Sequence, residues 1–150
     1  MKKFFFSLDN VLNFKEQVLE NLKGEHARVL ASMHQCEREI EALEEEHRAC
    51  TLDFNQQKLQ GMKIADIYTY EHYLDSLGLK IQRKKEELGV WRQREEAKRN
   101  EVVEAKQETS SIDKLKEKKL QEYEKAVQKQ EELFIEEFVS TKNAMERLIG

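Results

Sequence analysis

Gly61-Met62-Lys63-Ile64-Ala65-Asp66 is the stretch that decides the fold. Apolar residues recur at every third or fourth position before it, and the same rhythm resumes after it. The chain of 150 residues has no proline, so nothing else is obliged to break a helix. Gly61 suits a helix stop, and Asp66 suits the N-cap of a second helix. The stretch therefore reads as the bend, residues 61–66, of one helical hairpin. Arm one covers residues 8–60 and arm two residues 67–149. The expected fold is all-α: two long helices forming an antiparallel coiled-coil hairpin, the second helix longer than the first.

Arm one carries a heptad. One set of positions is Leu12, Leu19, His26, Met33, Ile40, His47, Phe54 and Gly61; the other is Lys15, Leu22, Val29, Cys36, Leu43, Cys50 and Gln57. Most are apolar and the period never slips, which specifies a coiled-coil seam. Asp9 or Asn10 is placed to cap the start, and Gly24 weakens the interior. In arm two the seam is Tyr70, Leu74, Leu77, Ile81, Leu88, Trp91, Val102, Ala105 and Ile112, with Lys84, Glu95 and Lys98 on the same stripe. Helix propensity dips and the phase shifts at Thr109-Ser110-Ser111, a pattern that admits a kink or stutter and leaves the continuity of arm two open. Beyond it Leu120, Val127, Phe134, Thr141 and Leu148 repeat at seven, flanked by Phe138 and Met145.

Folding about the bend sets Glu37, Glu39, Glu41, Glu44, Glu45 and Glu46 against Arg83, Lys84 and Lys85. Opposite charges beside a seam favour that pairing. The same register brings residue 8 near residue 120, so residues 121–149 have no partner within the chain. That overhang still carries Phe134 and Phe138 on one helical face, with Phe4-Phe5-Phe6 beside its base. A face of this kind is expected to dock on another protein, or on a second copy in weak self-association.

Composition narrows the function. Charged residues are 37% of the chain and the net charge is −4 with both signs mixed, so no nucleic-acid footprint stands out. A mean hydropathy of −0.83 with strict periodicity suits long helices and excludes a thick core. Met1-Lys2-Lys3-Phe4-Phe5-Phe6 imitates a signal peptide, but its apolar run stops at Ser7-Leu8-Asp9-Asn10. No window reaches a transmembrane length. Cys36 and Cys50 lie on one helix about 21 Å apart along its axis, too far to bridge, and read as buried reduced thiols. Glu44-x-x-His47 is half of a carboxylate-bridged di-metal pattern without its second half. No phosphate loop, nucleophile–base pair, metal set or cofactor motif is present, and an enzyme has nothing to stand on. The basic run Lys114, Lys116, Lys118 and Lys119 is interrupted by Asp113 and Glu117 and reads as a solvated face.

Glu104-Ala105-Lys106, then Lys114-Leu115-Lys116-Glu117-Lys118-Lys119, then Glu122-Tyr123, then Glu131-Glu132-Leu133 and Glu136-Glu137-Phe138 succeed one another in an order that resembles the flagellar type III export family FliJ. Phe4-x-Phe6-x-Leu8 with Val11-Leu12 and Lys15 resembles that family's opening. The resemblance covers nearly the whole chain. It implies a non-enzymatic stalk, similar to the coiled coil of the rotary ATP synthase γ subunit. The implied partners are the hexameric export ATPase FliI, the export gate protein FlhA and export chaperones. The implied location is the cytoplasm, peripheral to the inner membrane through those partners. It also implies a gate-binding surface near the bend, at Leu43, His47, Cys50, Phe54, Tyr73, Leu77, Lys80 and Lys84. The ATPase end would comprise Phe4, Phe6, Leu115, Lys116, Lys118, Tyr123, Val127, Phe134, Phe138 and Met145. The alternatives are a structural coiled-coil homodimer and the equivalent stalk of a virulence-type secretion system.

Overall fold

A computed structural model describes residues 2–149. Helix α1 runs Asp9–Gln60 and helix α2 runs Ile64–Ile149; there is no strand among the described residues. The chain is all-helical, its second helix is the longer, and the two helices pack against each other.

The bend is tighter than the sequence suggests. Gly61 has φ +93°, the left-handed region where a Cβ is penalised, and its N–H closes on the Lys58 carbonyl at 3.2 Å. Between the two helices only residues 61–63 are non-helical. Asp66 is therefore not the cap expected for α2. The Lys63 carbonyl accepts the Asp66 and Ile67 N–H groups at 3.1 Å, and the Asp66 carboxylate lies in the first turn, where the helix dipole favours it. Asp9 is not a side-chain cap either. The Leu8 carbonyl starts α1 by accepting the Leu12 N–H at 2.8 Å, and the Asp9 carboxylate instead takes a hydrogen bond from Lys116.

Contacts divide the chain into two compact units, Met1–Leu19 with Ala105–Gly150, and Glu20–Glu104. In the Glu20–Glu104 unit the helices run antiparallel around the expected seam. Cys36, Ile40 and Leu88 form its core with Met33 and Trp91 packed against them, and Leu77 and Phe54 are also buried. His26, Glu95 and Lys98 make a polar layer: His26 Nε2 lies 3.1 Å from Glu95 Oε1, and Lys98 donates to Glu25 at 2.8 Å. Glu95 also pairs with Arg99 at 3.6 Å, so the Glu95 carboxylate and the Lys98 ammonium are both ion-paired, which is how a seam tolerates them. Gln57 is exposed, because the seam closes at Phe54 before the turn.

In the other unit Phe6, Leu12, Leu19 and Ala105 are buried, and so is Thr109. Helix α2 runs unbroken through residues 109–111. Thr109 Oγ1 donates to the Ala105 carbonyl at 2.8 Å and Ser111 Oγ to the Gln107 carbonyl at 2.9 Å, so both hydroxyls are satisfied within the helix. The apolar phase slips later. Ala105, Thr109, Ile112 and Lys116 keep the heptad, whereas Val127 stands one residue past it.

The register also differs from the expected one. Asp9 faces Lys116 at 2.7 Å and Lys15 faces Glu108 at 2.8 Å in one unit; Glu39 faces Lys84 at 2.7 Å in the other. Each α2 partner lies about one helical turn earlier than a bend through residue 66 would place it. The short turn accounts for that shift.

Candidate docking surfaces

Near the bend, two grooves of the Glu20–Glu104 unit hold residues assigned from the sequence. The first, about 600 Å³, is lined by Glu39, Ala42, Leu43, Lys80, Arg83, Lys84 and Glu87. Lys84 is clamped between Glu39 at 2.7 Å and Glu87 at 3.1 Å, and these hydrogen bonds raise its pKa well above the ordinary lysine range. Lys85 pairs with Glu44 at 3.1 Å, so the expected acidic-against-basic flank is present. The second groove, about 450 Å³, is lined by Glu46, Ala49, Cys50, Asp53, Thr69, Tyr70 and Tyr73. Tyr70 donates its hydroxyl to Asp53 at 2.5 Å, and Tyr73 donates to Glu46. Those bonds hold both phenol pKa values above the usual range, because ionising either ring would lose the bond and place two anions together. Tyr70 also stacks on Phe54, with centroids 4.9 Å apart and planes 3° apart, and the Lys58 ammonium sits 3.8 Å from the Phe54 centroid.

The residues assigned to this surface from the sequence fall into two sets. Leu43, Lys80 and Lys84 meet around the first groove, and Cys50 and Tyr73 around the second. Phe54 is 5% exposed and Leu77 is 2% exposed, so both are seam residues that a partner cannot reach. His47 is half-buried, and its carbonyl accepts the Thr51 hydroxyl. Glu46, Asp53, Tyr70, Arg83 and Glu87 were missed as groove residues. The pairing of Asp53 with Tyr70 across the bend was the signal that could have found them, once the turn length was known.

In the Met1–Leu19 and Ala105–Gly150 unit, the N-terminal segment extends the cover on α2. Phe4 packs against Tyr123 with centroids 5.5 Å apart, and the Tyr123 hydroxyl donates to the Lys2 carbonyl at 2.6 Å. Tyr123 is thus partnered, and the bare stretch begins beyond it rather than at residue 121. From residue 128 to residue 149 every residue is exposed, including Phe134, Phe138, Met145 and Leu148. Val127 is half-buried and Leu115 and Lys118 are exposed. Phe6 and Lys116 are consumed internally, Phe6 by burial and Lys116 by Asp9, whose carboxylate raises the lysine pKa. Of the apolar residues assigned to this end, Phe134, Phe138 and Met145 are the ones more than half exposed. Phe134 and Ile135 also line a shallow groove with Val127, Gln130 and Glu131.

Among the described residues no cluster of His, Cys, Asp or Glu could hold a metal, and no helix is long and apolar enough to cross a membrane. No curated protein and no solved structure matches the chain. A family model described as Flagellar FliJ protein does match, over residues 4–146. The match takes in both helices and both surfaces, and the chain belongs to the FliJ family.

Proposed function

We propose that this chain is a non-enzymatic stalk of the bacterial flagellar type III export apparatus. It links the hexameric export ATPase, FliI, to the export gate protein, FlhA, and meets export chaperones. It works in the cytoplasm and is held at the inner face of the cell membrane through its partners. The observation that carries this reading is the bare apolar face of α2. Phe134, Phe138 and Met145 are 69%, 63% and 60% exposed on a helix whose internal partner has already ended. Apolar stripes of this kind mark docking surfaces, and aromatic anchors dominate such interfaces. The grooves near the bend supply the surface for the gate. Family membership supports the flagellar setting.

The mechanism is positional. A coiled coil with separate docking surfaces transmits a change in one partner as a displacement of the other, and its own side chains make and break no covalent bonds. The test is a pull-down from flagellate cell extract with the wild-type chain and with Phe134→Ala/Phe138→Ala. The wild type is expected to recover the export ATPase and the variant to lose it while retaining the gate protein. Equal ATPase recovery by both, with loss of self-association in the variant, would favour a coiled-coil homodimer instead.

A further inference from the structure

The carboxylates that α1 turns toward α2 in the Glu20–Glu104 unit are not all treated alike. Glu25, Glu39 and Glu44 each meet a lysine: Lys98, Lys84 and Lys85. Toward the bend the partner changes. Asp53 and Glu46 meet the phenols of Tyr70 and Tyr73. A phenol fills one acceptor site of a carboxylate but leaves the negative charge in place. Among the described residues no lysine or arginine lies within ion-pair distance of Glu46 or Asp53. Among those residues no lysine or arginine offsets these two carboxylates, and the tyrosines fix where they point.

They flank the groove of about 450 Å³ between the two helices near the bend. Between them lie Ala49 and the half-buried Cys50. Burial pushes the Cys50 thiol pKa up, so it adds apolar surface rather than a third anion. The aromatic rings of Tyr70 and Tyr73 line the same groove. The adjoining stack already holds a cation, because Lys58 sits over the Phe54 ring that stacks on Tyr70. Ring faces, an apolar floor and two fixed carboxylates are the components of a cation-accepting slot.

We propose that this groove receives a basic side chain, lysine or arginine, presented by the partner that docks near the bend. The inference rests on the gate-docking surface argued under Proposed function and adds the chemistry of its contact. An apolar side chain in the groove would strip water from two carboxylates without replacing their countercharge. An acidic side chain would be repelled. A basic side chain packs its methylene stem on Ala49 and Cys50 and brings its charge to Glu46 and Asp53. Glu46 and Asp53 are then specificity residues, and Tyr70 and Tyr73 hold them in position.

The experiment measures binding of the full chain to the cytoplasmic portion of the export gate protein by calorimetry, at low and high salt. In Glu46→Gln/Asp53→Asn the amide carbonyls still accept the phenol hydrogen bonds, so the helices keep their pairing while the charge is removed. Affinity at low salt is expected to fall about tenfold or more, and its salt dependence to flatten. Tyr73→Phe keeps the ring and the Glu46 charge but releases the carboxylate, and is expected to weaken binding by less than Glu46→Gln/Asp53→Asn while keeping the salt dependence. A scan of lysine and arginine to glutamine on the gate protein is expected to find one position that weakens the wild type and has no further effect on Glu46→Gln/Asp53→Asn. Should that variant lose helicity, Glu46→Arg against the gate position changed to glutamate replaces it, with restored binding expected. Unchanged affinity and salt slope in Glu46→Gln/Asp53→Asn would overturn the inference and leave gate docking standing. No binding by the wild type would overturn both.

Discussion

Leu77→Ala separates packing from docking near the bend. Leu77 is 2% exposed, and it is the one side chain among the described residues that is both large and fully buried. Truncating a buried leucine costs ~2–5 kcal/mol, and the cost rises with the cavity left behind. A seam only two helices thick can collapse partway around the gap, which places this site toward the lower end, ~2–3 kcal/mol. In a chain of this size each kcal/mol moves Tm by about 2–4 °C, so the variant is expected to melt roughly 4–12 °C lower. Tyr73 supplies the contrast. It is 43% exposed and its hydroxyl bonds to the exposed Glu46. Tyr73→Phe loses one solvent-accessible hydrogen bond, worth about 1 kcal/mol or less. The assay is thermal and urea unfolding followed by circular dichroism at 222 nm, beside gate binding at a temperature where both variants are folded. Equal melting points for the two variants, or a Leu77→Ala protein as stable as wild type, would refute the seam assignment of Leu77.

Two glycines are expected to respond with opposite signs to alanine. Gly61→Ala forces a Cβ into φ +93° and destabilises by about 1–2 kcal/mol, whereas Gly24→Ala, inside α1 with nothing within 4 Å of the new Cβ, stabilises by about 1 kcal/mol; urea midpoints of the two variants check both signs. Acid is expected to weaken the hairpin. Hydrogen bonds from Lys98 and Lys84 hold the Glu25 and Glu39 carboxyls below their ordinary pKa, so the unfolded chain binds protons first. Their contribution is full above the unfolded value of about 4.3, and it is lost as pH falls through the depressed folded values. Urea midpoints across that range are expected to drop toward acid, with a shallower drop in Glu25→Gln/Glu39→Gln.

The sequence was most legible where one physical signal was repeated many times. Heptad spacing placed Leu12, Leu19, Cys36, Ile40, Phe54, Leu77 and Leu88 in the seam, and each is buried. The polar stripe positions were also right, since Lys84, Glu95 and Lys98 lie on the seam and are ion-paired, Glu95 with Arg99. What failed depended on a single local geometry. Asp66 has the chemistry of an N-cap, but the left-handed Gly61 reverses the chain sooner and leaves Asp66 inside the first turn. That difference shifted the register by about one turn, which hid the pairings Asp53–Tyr70 and Glu46–Tyr73. At Thr109 and Ser111 the continuity of the helix was left open by the sequence for a related reason. Low helix propensity signals a break only when the hydroxyls lack a partner, and here the preceding carbonyls accept them. Exposure of the face beyond Tyr123 came from arm lengths alone and tolerated the register error.

The proposed stalk depends above all on this bare face holding the export ATPase. The most direct test is the affinity of purified hexameric ATPase for the full chain and for Phe134→Ala/Phe138→Ala, read by fluorescence anisotropy. Both side chains are well exposed, so the variant is expected to keep the wild-type melting curve within about 0.5 kcal/mol. Loss of two aromatic anchors is expected to weaken ATPase binding by about a hundredfold or more, with gate binding unchanged. An affinity for the ATPase equal to that of the wild type would contradict the account.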